Sequence, residues 1–119
     1  MDELGTGPIE DLDPGPAPRE LLRVDVLPGE DGTVTVRIGG ELDIGNVDLL
    51  EKQVAPAMSR APRRLIVDIG ALRFADSSAI ALWVRWAGRV EEFELREPSA
   101  LVRKVVESMG LARKLRPTP

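Results

Sequence analysis

A chain of 119 residues with 43% apolar side chains has room for one domain with a modest core and not for two. It contains neither cysteine nor histidine, which excludes disulfides, thiolate nucleophiles, Cys/His zinc centres, imidazole bases and histidine phosphorelay together. A net charge of −4, with no tyrosine and two phenylalanines, argues against a dedicated nucleic-acid binder, which needs clustered Lys and Arg and aromatic platforms.

Residues 1–19 carry Pro8, Pro14, Pro16 and Pro18, three glycines and a string of acids. Such a segment has too little apolar surface to offset its ordering entropy, so the composition predicts a disordered acidic tail over 1–19 and a folded domain over 20–116. No charged stretch leads into an apolar one, and no apolar run approaches the roughly 20 residues of a membrane helix. A soluble, cytoplasmic protein without a membrane partner is expected.

Leu22, Val24 and Val26, then Val34, Val36 and Ile38, alternate with polar residues at a period of two, and Pro28-Gly29-Glu30-Asp31-Gly32 between them supplies turn chemistry. An antiparallel hairpin follows. The period then changes: Val47, Leu50, Val54 and Met58 share a helical face, with Asn46 placed to cap it and Pro56 expected to kink or end it near Ala55. Leu65-Ile66-Val67-Asp68-Ile69 lacks alternation, the pattern of a central strand covered on both faces. A second helix starts after Asp76-Ser77-Ser78, buries Ile80, Trp83, Val84 and Ala87, leaves Trp86 partly exposed and stops at Gly88. Phe93 and Leu95 mark a short fourth strand. Pro98-Ser99 opens a third helix with the stripe Leu101, Val102, Val105, Val106 and Met109, closed by Gly110. The order β-β-α-β-α-β-α predicts an α/β domain: a mixed sheet of about four to five strands, an N-terminal antiparallel hairpin and packed helices.

Three segments at these spacings resemble the STAS family of anti-sigma factor antagonists: Gly40-Glu41-Leu42-Asp43; Leu65-Ile66-Val67-Asp68 running to Phe74-Ala75-Asp76-Ser77-Ser78; and Val102-Arg103-Lys104-Val105-Val106 through Gly110-Leu111. The resemblance implies a binding module rather than an enzyme. It implies that Ser78 is the residue a partner kinase phosphorylates, and that Asp43, Asp76, Ser77, Ala79 and Ile80 share the partner-facing surface. The implied partner is an anti-sigma factor serine kinase of ATPase fold, captured by the unmodified antagonist so that a sigma factor is freed. A serine phosphatase would reset the cycle, and no cofactor or metal is implied. Ala79 departs from the pattern, standing where many members have glycine.

The physics of such a switch is simple. A first-turn serine sits where backbone N–H groups lack intrahelical partners, within reach of another protein. Phosphate adds about −1.5 to −2 charges, which the helix N-terminus tolerates but a close interface does not. Bland readings stand beside this one: Asp76 and Ser77 as a helix cap, Ser78 as an ordinary first-turn serine, Asp43 as a loop cap, and Arg103, Lys104, Arg113, Lys114 and Arg116 as a solvated surface.

Other classes remain as rivals. A permanent STAS subunit, as in stressosome-like assemblies or a lipid-transport ATPase complex, would use Asp76-Ser77-Ser78 only as a cap. An Asp-phosphorylated receiver domain finds acids in Asp43, Asp68 and Asp76, but the opening hairpin breaks its β-α alternation. Gly39-Gly40 and Gly5-x-Gly7 lack the Lys-Ser/Thr of a phosphate-binding loop.

Overall fold

The first apolar alternation does close into a hairpin. In the computed structural model, which describes residues 21–119, strand β1 (Arg23–Pro28) pairs antiparallel with β2 (Thr33–Leu42) in register from Arg23–Gly39 to Pro28–Val34. Asp31 and Gly32 take the positive φ angles that reverse the chain. The expected tail, residues 1–19, lies outside the described residues.

Helix α1 (Val47–Met58) then carries the chain to β3 (Arg64–Ala75), α2 (Ser77–Ala87) to β4 (Glu92–Arg96), and α3 (Ala100–Ser108) with the single turn α4 (Ala112–Leu115) to β5 (Pro117–Thr118). The sheet order is β1-β2-β3-β4-β5, and every contact after the hairpin is parallel. Each crossover adds its strand on the same side, and right-handed crossovers that step in one direction leave all helices on one face. The burial pattern agrees: Val36, Ile38, Leu65, Val67, Ile69, Phe93 and Leu95 join the core with the helices.

The opposite face is where β3 departs from expectation. Among the described residues it carries no helix but a layer of charges: Arg37 to Asp68 at 3.9 Å, Arg64 to Glu92 at 3.5 Å and to Glu94 at 2.8 Å across strands, and Arg96 to Glu94 at 3.0 Å along β4. Ile66, paired opposite Glu94, is buried on this strand without joining the helix-side core, which explains its unbroken apolar run. The Thr118 hydroxyl also donates to Glu94, at 2.7 Å. Burial pushes the Glu94 carboxyl up, but Thr118, Arg96 and Arg64 together hold it below its ordinary value. Pro117–Thr118 form the fifth strand, β5, paired parallel with β4.

Three further differences concern the helices. Helix α1 continues through Pro56 to Met58. Pro56 falls in the last turn on the exposed side, and the buried Val54 and Met58, at about 1.5–3 kcal/mol each, offset a proline cost of about 3 kcal/mol. Trp86 is buried with Trp83, at 1% and 0% exposure, because α2 packs against α1 on one side and α4 on the other, giving it a wider covered arc than one stripe. Among the stripe residues of α3 only Val106 is buried; Leu101 and Met109 are 71% and 54% exposed. Gly110 takes the left-handed conformation expected after α3, at φ 73°.

Candidate functional site

The strand ends nearest the α2 N-terminus converge on Asp76. Its backbone N–H donates to the Leu42 carbonyl at 3.3 Å, which joins the end of β3 to the end of β2. Its carboxylate caps α2, with Oδ1 accepting from the Ser78 N–H at 2.9 Å, the Ala79 N–H at 3.4 Å and the Ser78 hydroxyl at 2.5 Å. Oδ2 reaches across to the Ile44 N–H at 3.1 Å, in the turn between β2 and α1. The Ser78 hydroxyl is the main cause holding the Asp76 carboxyl below its usual range; partial burial opposes it, and the N–H groups of Ile44, Ser78 and Ala79 add to the lowering. Asp76 is thus an anion at neutral pH, and the Ser78 hydroxyl donates its proton to it.

The β2–α1 turn is built from its own side chains. Asp43 accepts from the Gly45 N–H at 2.8 Å. Asn46 occupies the cap position of α1 but makes no bond to the helix N–H groups. Its side chain instead accepts from the Asp43 N–H at 2.9 Å and donates to the Glu41 carbonyl at 2.9 Å. The turn is thereby rigid on both sides of Ile44, which stands 75% exposed.

Of the residues expected on the partner surface, Asp43, Asp76 and Ser78 are half-buried and Ser77 is exposed. Asp43 and Asp76 share this end of the domain through the Ile44 turn. Ala79 is fully buried, and Ile80, at 5% exposure, is reachable only as a wall of a neighbouring groove. That groove, about 250 Å³, runs from Asp76 and Ser77 between the end of β3 and α3, lined by Leu72, Phe74, Ile80, Leu101, Val105 and Met109. Phe74 is 51% exposed at its edge. Ile44, Phe74, Leu101 and Met109 are surface residues that sequence periodicity did not single out as such: Leu101 and Met109 carried the signal of a core stripe, and Phe74 lay within a motif quoted for its serines. No described helix is long and apolar enough to cross a membrane. No cluster of acids among the described residues has the arrangement to hold a metal ion.

Comparison with known proteins agrees with this architecture. The family model described as "Mlab, STAS domain" matches residues 27–117. An anti-sigma factor antagonist from Mycobacterium paratuberculosis superposes with a TM-score of 0.74 at 20% identity, over 83% of this chain and 86% of that one. The anti-sigma factor antagonist SpoIIAA in its unphosphorylated form gives 0.66 at 27% identity, over 83% and 89%. The Bacillus cell fate determinant SpoIIAA in its phosphorylated form gives 0.65 at 24%, over 82% and 92%. No curated protein matches the chain. The element order, the mixed sheet and the family match over residues 27–117 together place this chain in the STAS domain family.

Proposed function

We propose that this chain is an anti-sigma factor antagonist that acts by binding: unmodified, it captures an anti-sigma factor serine kinase of ATPase fold and frees a sigma factor, and phosphorylation of Ser78 ends the capture. The observation that carries this reading is Ser78 itself, a partly exposed residue in the first turn of α2, its hydroxyl bonded to Asp76, beside an apolar groove lined by its neighbour Ser77. The two forms in which SpoIIAA has been solved, phosphorylated and unphosphorylated, are consistent with it.

Electrostatics supplies the switch. Phosphorylation removes the proton that Ser78 gives to Asp76 and sets about −1.5 to −2 charges beside a carboxylate. The phosphate must turn away from Asp76, toward solvent in the free protein and toward the partner in the complex. The helix N-terminus supports the charge within the domain, so the fold survives, while a kinase already holding nucleotide phosphates is repelled. Asp43, Asp76 and Ser77 would frame the contact, with Ile80 as a wall and Ala79 acting from beneath as packing. A serine phosphatase would restore the binding form.

A second reading is favoured by one observation: every polar atom of Asp76 is already engaged in capping and in the Ile44 bond, so the motif is structurally complete without a kinase. The chain would then be a permanent STAS subunit of a larger assembly. Titrating the partner recovered from the source cells with wild type, Ser78→Ala and Ser78→Asp separates the two. The switch requires wild type and Ser78→Ala to bind alike and Ser78→Asp to bind about a hundredfold more weakly, about 2.8 kcal/mol. Equal binding by both variants refutes the switch and leaves the permanent subunit.

A further inference from the structure

The third helix packs Val102, Val105 and Val106 on the core but leaves the two ends of its apolar stripe uncovered by the described domain. Leu101 and Met109 stand 71% and 54% exposed, and with Phe74 they border a groove whose floor is Leu72, Ile80 and Val105. Large apolar side chains left exposed at the rim of an apolar groove offer a surface for a second segment to cover.

The chain itself supplies a candidate occupant. Residues 1–20 hold six acids (Asp2, Glu3, Glu10, Asp11, Asp13, Glu20) against one base (Arg19), a formal charge of −5. The whole chain carries −4, so residues 21–119 carry +1. The charge asymmetry is therefore a property of the terminus and not of the domain. Arg73 lines the groove, and Arg103 and Lys104 lie on α3; none of these three has an ion-pair partner among the described residues. Position also fits. The described chain begins at Leu21, whose carbonyl lies against Gly40, and Gly40 is paired with Leu72 of the groove. Eight residues separate Leu12 from Leu21, a reach of about 26–30 Å when extended.

We propose that the groove is the docking site of this chain's own N-terminal segment, with Ile9 and Leu12 in the apolar trough and the flanking acids facing Arg73 and the basic side of α3. An occupied groove lies next to Ser77, so the segment competes with any partner approaching Ser78. That regulatory consequence rests on the function proposed above; the docking does not, and it is tested on the isolated protein.

The absence of cysteine makes the test clean, because Glu10→Cys creates a unique attachment point for a nitroxide on the full chain. Methyl spectra are recorded with the label oxidised and reduced. Docking predicts that the Leu101 and Met109 methyls lose most of their intensity while Leu27, in the hairpin strand β1, is unaffected. The loss disappears when Ile9→Asp and Leu12→Asp are added, and it shrinks with Arg73→Glu. Equal broadening at Leu27 and Leu101, or broadening that survives the two aspartates, overturns the proposal. Broadening seen only between separately labelled molecules assigns the groove to a second copy and overturns it too. No broadening at all leaves the groove to a different protein and equally overturns it.

Discussion

Replacing Asp76 by alanine removes two kinds of support at once, and the structure allows them to be separated. Loss of an N-cap costs about 1 kcal/mol, within a range of about 0.5–2. Loss of the Ile44 bond adds about 1 kcal/mol, less than the roughly 1.5–3 kcal/mol of a buried bond to a charged group because water reaches the exposed Ile44 turn. Asp76→Ala should therefore destabilise the domain by about 2 kcal/mol, which for about 100 residues lowers Tm by about 8–15 °C. Asp76→Ser keeps a capping oxygen but is too short to reach Ile44, so it should lose only about half as much. Urea unfolding followed by tryptophan fluorescence reads both, since Trp83 and Trp86 are buried in the helix that Asp76 caps. If Asp76→Ala unfolds within about 0.5 kcal/mol of wild type, or if the serine variant is as unstable as the alanine one, the assignment of Asp76 as both cap and cross-link is wrong.

Three more outcomes follow from the same geometry. Gly40→Ala should cost at least about 2 kcal/mol in urea unfolding, because residue 40 has φ 89° and an added Cβ would lie 2.0 Å from the Leu21 carbonyl oxygen. Leu101→Ser with Met109→Ser should leave the urea midpoint almost unchanged, within about 0.5 kcal/mol per site, since both side chains are exposed; a large loss would mean that they belong to the core. The pH dependence has a definite sign. Asp76 has a folded pKa below its unfolded value of about 3.9, so its contribution is complete above that value and disappears as pH falls through the lower folded value. The stability advantage of wild type over Asp76→Asn should hold steady from pH 7 to 5 and shrink below about pH 4; an advantage that grows on acidification refutes the ionised cap.

Local pattern carried much of the architecture. The period of two in β1 and β2, the buried face of α1, Asp76 and Ser99 as caps and Gly110 as a stop all act within one or two turns of chain, where sequence is readable. What was not legible depends on distant partners. Nothing near Asp76 announces that its second oxygen binds a backbone N–H 32 residues earlier. Asn46 looks like a cap by position, yet its amide is used by the turn behind it. The apolar run of β3 suggested two covered faces, whereas a lattice of ion pairs shields Ile66. The stripe of α3 suggested core, yet its two ends, Leu101 and Met109, face out while Val102, Val105 and Val106 pack inward, because periodicity reports which residues share a face and not whether anything packs on all of it.

The tie between Asp76 and position 44 runs through a main-chain N–H and leaves the side chain there unconstrained. Residue 44 can therefore be exchanged for almost any other without loosening the serine-bearing helix. On the function proposed above, a lineage could retune which protein it recognises at that prominent spot while its chemistry stays fixed, a separation of selectivity from signalling that a side-chain tether would have prevented.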